Sequence, residues 1–198
     1  QRIGRQYPDC GYGARFYRWM FAPKPRPYNS YGNGAAMRIS PVGLFARTVE
    51  EARALSAAVT RVSHDHPEGM KGAEAVAVAM VLARQGRSKE EIRTLVETAY
   101  YPPVRDPDWY RARWTGHGRE ICQVSVPQAF SCFFAGTDFE DVIRTSVFTG
   151  GDSDTVAAIA GGLAEAYYGV PAELAECARA YLDDRLIAIC DAFTAAIS

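Results

Sequence analysis

The stretch TGGDSDTVAAIAGG (149–162) decides how the chain is read. Asp152, Asp154 and Thr155 fall within four positions behind a Gly-Gly pair, and no further charge appears until Glu165. The apolar run reads as a buried helix over 154–168, closed by Gly169. Its acidic start has two readings. Asp is a favoured N-cap, and negative charge suits the positive end of a helix dipole. One cap satisfies one helix, however, and two carboxylates with a hydroxyl also form a hard-oxygen set suited to a divalent cation. Glycines ahead of them allow the tight turn that aims both carboxylates inward.

Two other metal motifs fail. An EF-hand loop begun at Asp152 needs Gly at its sixth position and Glu at its twelfth, where Ala157 and Leu163 stand. The D-x-D-x-[TV] motif of haloacid dehalogenase-type phosphatases fits Asp152 to Val156. It needs a downstream lysine, and none follows.

Outward from this stretch, helix signals dominate and strand alternation is absent. TVEE (48–51), SKEE (88–91) and TDFE (137–140) are capping-box patterns. Behind the first, Ala52, Leu55, Val59 and Val62 share one face. A helix over 71–85 is apolar almost all round and belongs in the middle of a bundle. Pro127 suits the first turn of a helix running to Phe134, and further helices follow Pro171 and span 186–193. Residues 100–119 read as a long surface loop, and the first 45 residues as mostly irregular.

With 198 residues, 48% hydrophobic and 23% charged, the chain has the composition of a globular protein with a sizeable core. A net charge of -1 gives no bulk attraction for nucleic acid, and no apolar run is long enough to span a membrane. Cys10, Cys122, Cys132, Cys177 and Cys190 are odd in number and irregularly spaced, without a CxxC pair. They predict reduced thiols of a cytoplasmic protein rather than a disulfide frame or a zinc cage.

Two further clusters carry polar groups. SYGNG (30–34), opening SYGNGAAMR (30–38), is a plain Gly/Asn turn or a backbone cradle for phosphate oxygens. SHDHPEG (63–69) closes one helix and precedes another. His64 and His66 there are structural, or donors to an anionic ligand; a zinc pair lacks partners, since the third histidine is the distant His117.

Together SYGNGAAMR (30–38), SHDHPEGMKGA (63–73), SVPQAF (125–130) and GGDSDTVAAIAGGLAEAYYG (150–169) resemble the ADP-ribosylglycohydrolase family. The resemblance covers nearly the whole chain, including YPDCGYGARFYRWM (7–20). It implies one all-α domain over 1–198, an orthogonal helical bundle, that hydrolyses the link between ADP-ribose and an acceptor with two Mg²⁺ ions, Mn²⁺ being the alternative. The acceptor is an ADP-ribosylated protein or a small ADP-ribose conjugate. By resemblance Asp152, Asp154 and Thr155 fall on metal ligands; Ser30, Tyr31, Gly32, Asn33 and Gly34 on the ADP-ribose loop; His64 on a ligand-contacting histidine. The family's Thr-Asp-Asp ligands and its catalytic acid precede the position of Tyr7, where this chain has neither. The resemblance therefore implies an N-terminally short member, with little turnover expected from these residues alone. The alternatives are an ADP-ribose-binding module with weak or no catalysis and a structural relative.

Overall fold

The computed structural model describes residues 1–113 and 120–197. Among the described residues the chain forms twelve α-helices and no strand ladder. The first six are α1 (Ala14–Phe21), α2 (Gly34–Met37), α3 (Ser40–Phe45), α4 (Val49–Thr60), α5 (Pro67–Arg84) and α6 (Lys89–Ala99). Then come α7 (Pro107–Ala112), α8 (Cys122–Ala135), α9 (Phe139–Phe148), α10 (Ser153–Tyr168), α11 (Ala172–Arg179) and α12 (Asp184–Ile197). The all-α expectation is met, and no helix among the described residues is long and apolar enough to cross a membrane.

Helix α5 is the axis. Helices α2, α3, α4, α6, α8 and α10 all pack on it. Its Ala, Gly and Val residues permit close approach on every side, and Val76, Val78 and Met80 are shielded completely. Burial of each such larger side chain contributes roughly 1.5–3 kcal/mol. The helix starts at Pro67 rather than at residue 71, because the His66 ring accepts the Glu68 N–H at 3.1 Å and Pro67 needs no donor in the first turn. Phe130 and Phe133 of α8 and Ile159 and Leu163 of α10 complete the core.

The capping signals place most starts. Ser88 and Glu91 form the reciprocal box at α6. Thr48 caps α4 by accepting the Glu51 N–H, while Glu51 Oε2 reaches back to the Arg47 N–H at 2.8 Å. At α9 the cap is Asp138, one residue beyond the expected Thr137, and it accepts the Asp141 N–H at 2.8 Å.

Other expectations are corrected. The α4 face against α5 is Ala52, Ser56 and Thr60, with Val59 and Val62 left half exposed, because small side chains suit the close approach of the two helices. Pro127 lies inside α8, not at its start. The helix begins earlier because the Cys122 N–H is held by Tyr31 O at 3.0 Å. Pro127 then offers no N–H to the Gln123 carbonyl. The first 45 residues carry three short α-helices and a 3₁₀ turn at Gly4–Gln6. Within 100–119, α7 forms behind the Asp106 cap, with Tyr101 and Tyr110 buried; residues 114–119, with His117, lie outside the described residues.

Candidate nucleotide and metal site

The loop 28–34 is gripped from both sides. On one side the Tyr28 N–H donates to Ser63 O at 3.3 Å and the Asn29 N–H to Asp65 Oδ1 at 2.7 Å. On the other, the Asn33 N–H donates to Glu120 O at 3.1 Å, and Gly32 and Ile121 form an isolated antiparallel bridge. Within the loop Ser30 Oγ accepts the Gly32 N–H at 3.2 Å. Gly69 in the first turn of α5 permits this seat: a Cβ there would stand 2.7 Å from Ser30 O, closer than any side chain tolerates. The Tyr31 ring lies 5.0 Å from the His66 ring and is 42% exposed, so one face of the loop stays open.

His64 is buried beneath the loop, with Nε2 facing Gly32. Ser63 Oγ and His64 Nδ1 lie 2.8 Å apart. Burial first, then the nearby Arg38 and Arg15 guanidinium groups, push its pKa down to about 4. The ring is therefore neutral at pH 7. When Nδ1 accepts the Ser63 proton, Nε2 carries an N–H aimed at the loop.

The acid pair lies at the other end. Gly150 and Gly151 take φ values of 68° and 80°, which side-chain-bearing residues rarely adopt. Gln128 Nε2 fixes their turn by donating to Thr149 Oγ1 and Gly150 O, each at 2.9 Å. Asp152 occupies the N-cap position of α10, yet its side chain makes no capping bond. Its Oδ2 instead accepts from Asn33 Nδ2 at 2.5 Å. Burial first, then the adjoining Asp154 carboxylate, hold the Asp152 carboxyl above the usual range; hydrogen bonds from Asp152 and from the Thr155 backbone hold Asp154 below it. The buried Thr155 hydroxyl lies 3.6 Å from Met37 Sδ.

Burial and the adjoining Asp154 hold Asp152 above its usual range, and two carboxylates this close favour a cation between them. The donors are all oxygens, which fits Mg²⁺ or Mn²⁺ in kind. Among the described residues no three His, Cys, Asp or Glu side chains gather as a metal cluster.

Ser30, Tyr31, Gly32, Asn33, Gly34 and His64 thus come together, and Asn33 joins them to Asp152, with Asp154 and Thr155 beside it. The sequence reading missed Arg38 as a site group. Its guanidinium stacks 4.1 Å over Phe16 and crowds Gly34, where a Cβ would stand 2.9 Å from Nη2. The position i+4 from Gly34 on a short helix was the available signal. Ser125, which accepts from Asn33 Nδ2 at 2.8 Å, carried none. All five cysteines are free thiols, and burial raises Cys122 to about 12, so it is inert.

The family model for ADP-ribosylglycohydrolase matches residues 5–198. ADP-ribosylhydrolase ARH3 of Bos taurus is 27% identical over 230 aligned residues, covering 85% of this chain and 63% of that protein. An uncharacterized protein of Archaeoglobus fulgidus is 35% identical over 148 residues, 66% of this chain and 47% of its own. ADP-ribosylarginine hydrolase Tri1 of Pseudomonas putida is 28% identical over 147 residues, 70% of this chain and 39% of its own. The chain spans less than two thirds of the length of these relatives. A match over nearly every residue, on an all-α frame that unites the quoted motifs, makes this chain a member of the ADP-ribosylglycohydrolase family.

Proposed function

We propose that the site binds ADP-ribose joined to an acceptor and serves the hydrolysis of that joint with a divalent cation. The observation that carries this reading is the Asn33–Asp152 hydrogen bond, which ties the SYGNG loop to the acid pair. In this reading the loop backbone and the His64 N–H hold the diphosphate, and Arg38 supplies positive charge beside it. Asp152, Asp154 and Thr155 hold Mg²⁺ or Mn²⁺ next to the distal ribose. When bound, the ion supplies Lewis-acid assistance to cleavage at the anomeric carbon. Asn33 keeps Asp152 oriented, and Gln128 keeps the Gly150-Gly151 turn in place. The names of the relatives support the substrate class, an ADP-ribosylated protein or a small ADP-ribose conjugate, and a cytoplasmic setting is part of the same proposal.

A second reading is favoured by the donor count: two carboxylates and a hydroxyl fix only one side of an ion, so the chain holds ADP-ribose with weak cleavage or none. One experiment separates the readings. ADP-ribosylated protein is incubated with the chain and Mg²⁺, with and without chelator, and free ADP-ribose is measured alongside calorimetric binding. Chelator-sensitive release that Asp154→Ala abolishes supports the hydrolase. Binding without release supports the module, and neither binding nor release sinks both.

A further inference from the structure

The chain is nearly neutral as a whole, yet its charge is unevenly placed. Seven of the first 38 residues are Lys or Arg and only Asp9 among them is acidic. Arg15, Arg18 and Arg26 line a hollow of about 290 Å³ together with Trp19, Ala22 and Tyr28. Among the described residues none of these three arginines forms an ion pair, whereas six other basic side chains do. Arg18 Nε donates to Ala14 O of its own helix at 3.2 Å. Arg15 donates to Tyr28 O and lies 4.9 Å over the Tyr28 ring.

Tyr28, which lines the hollow, also packs on the candidate site. The Tyr28 ring is 5.8 Å from the His64 ring, and His64 Nε2 faces Gly32. Moving away from Asp152, the order is Asn33, Gly32, His64, Tyr28, Arg15, and then Arg18 and Arg26. A ligand laid across the loop with its reacting ribose at Asp152 directs its nucleoside end toward Tyr28 and the hollow. Three guanidinium groups without a carboxylate partner among the described residues, around a space of that size, are a receptor for phosphate oxygens, which arginine binds in a forked geometry.

We infer that the Arg15–Arg18–Arg26 hollow binds an additional phosphate carried on the nucleoside end of ADP-ribose. The inference rests on the reading of the SYGNG loop as the diphosphate seat. The same chemistry has two sources: a terminal 2′-phosphate, or a phosphodiester that continues into a further nucleotide. Trp19 and Tyr28 give the second source flat surfaces on which a base stacks.

The test is calorimetry on the full chain with three ligands: ADP-ribose, 2′-phospho-ADP-ribose, and ADP-ribose extended by a phosphodiester to a second nucleotide. The variant is Arg18→Ala/Arg26→Ala, since both side chains are exposed. The expected result is affinity about tenfold higher for a phosphorylated form than for ADP-ribose, the scale of one charged hydrogen bond. That gain should vanish in the double variant while its affinity for ADP-ribose itself stays within about twofold. A gain for the monoester alone identifies a terminal phosphate; a gain for the extended ligand identifies a polymer. Equal affinity for all three ligands, or a gain that survives in the variant, overturns the inference and leaves the loop reading intact. Failure of ADP-ribose and both derivatives to bind overturns both.

Discussion

The side-chain amide of Asn33 donates at once to Oδ2 of Asp152 at 2.5 Å and to Oγ of Ser125 at 2.8 Å. Asn33 is 6% exposed, so its amide has no water as an easy substitute partner. Asn33→Ala should cost about 1–3 kcal/mol of stability in denaturant titrations without metal, the scale of stranding a buried polar group. Asn33→Asp should cost more, because it places a third carboxyl against the acid pair, and Mg²⁺ should recover part of that loss. Wild-type stability in both variants would show that the bond contributes nothing.

The cation prediction follows from the Asp152 carboxyl, which burial and the adjoining Asp154 hold above its usual range. Mg²⁺ or Mn²⁺ at ten times its dissociation constant should raise Tm by roughly 3–5 °C, by mass action on a chain of this size. Asp154→Ala should remove the rise. Identical shifts in wild type and variant would remove the metal assignment.

For the ligand, ADP-ribose should bind more tightly than AMP, since the loop is read as holding both phosphates and the distal ribose. Gly69→Ala offers a probe from outside the loop. Its new methyl group would press on Ser30 O and shift the loop, lowering ADP-ribose affinity about tenfold, the scale of a misplaced charge-assisted hydrogen bond. Calorimetry that finds AMP and ADP-ribose equivalent would count against the pocket.

Acid should weaken the fold through His64. Its folded pKa of about 4 lies below the unfolded value of 6.5, so the unfolded chain takes up the proton first as pH falls. Above 6.5 both states are neutral and His64 contributes no pH dependence. Between 6.5 and 4 the folded state should lose stability, up to about 3 kcal/mol in all. His64→Gln should lack that component, and the wild-type His64 resonances should not titrate above about pH 5. A His64 midpoint near 6.5 would show that the ring is not desolvated as the structure places it.

Periodicity and capping made the helical body legible. The all-round apolar pattern of α5 and the Ser88 box needed no tertiary information, because burial and cap bonds there are written in neighbouring residues. Where long-range contacts rule, the sequence was silent. The start of α8 depends on the Tyr31 carbonyl, which holds the N–H of Cys122 from far back in the chain, so Pro127 reads locally as a start signal. At the site, carboxylate spacing alone left capping and cation binding open. The missing cap bond of Asp152 and its link to Asn33 become visible only when distant segments meet. The clustered arginines of the hollow were hidden in the same way by a net charge of -1.

The contacts that assemble the SYGNG loop join residues far apart in the chain, from Asn29 to Asp65 and from Asn33 to Ser125 and Asp152. Local helices form on a microsecond scale, whereas such closures carry the entropy of long intervening loops. Refolding should therefore regain helical circular dichroism before it regains ligand binding. An intermediate with α5 and α6 already formed would be blind to ADP-ribose, so binding competence reports that chain segments more than a hundred residues apart have met.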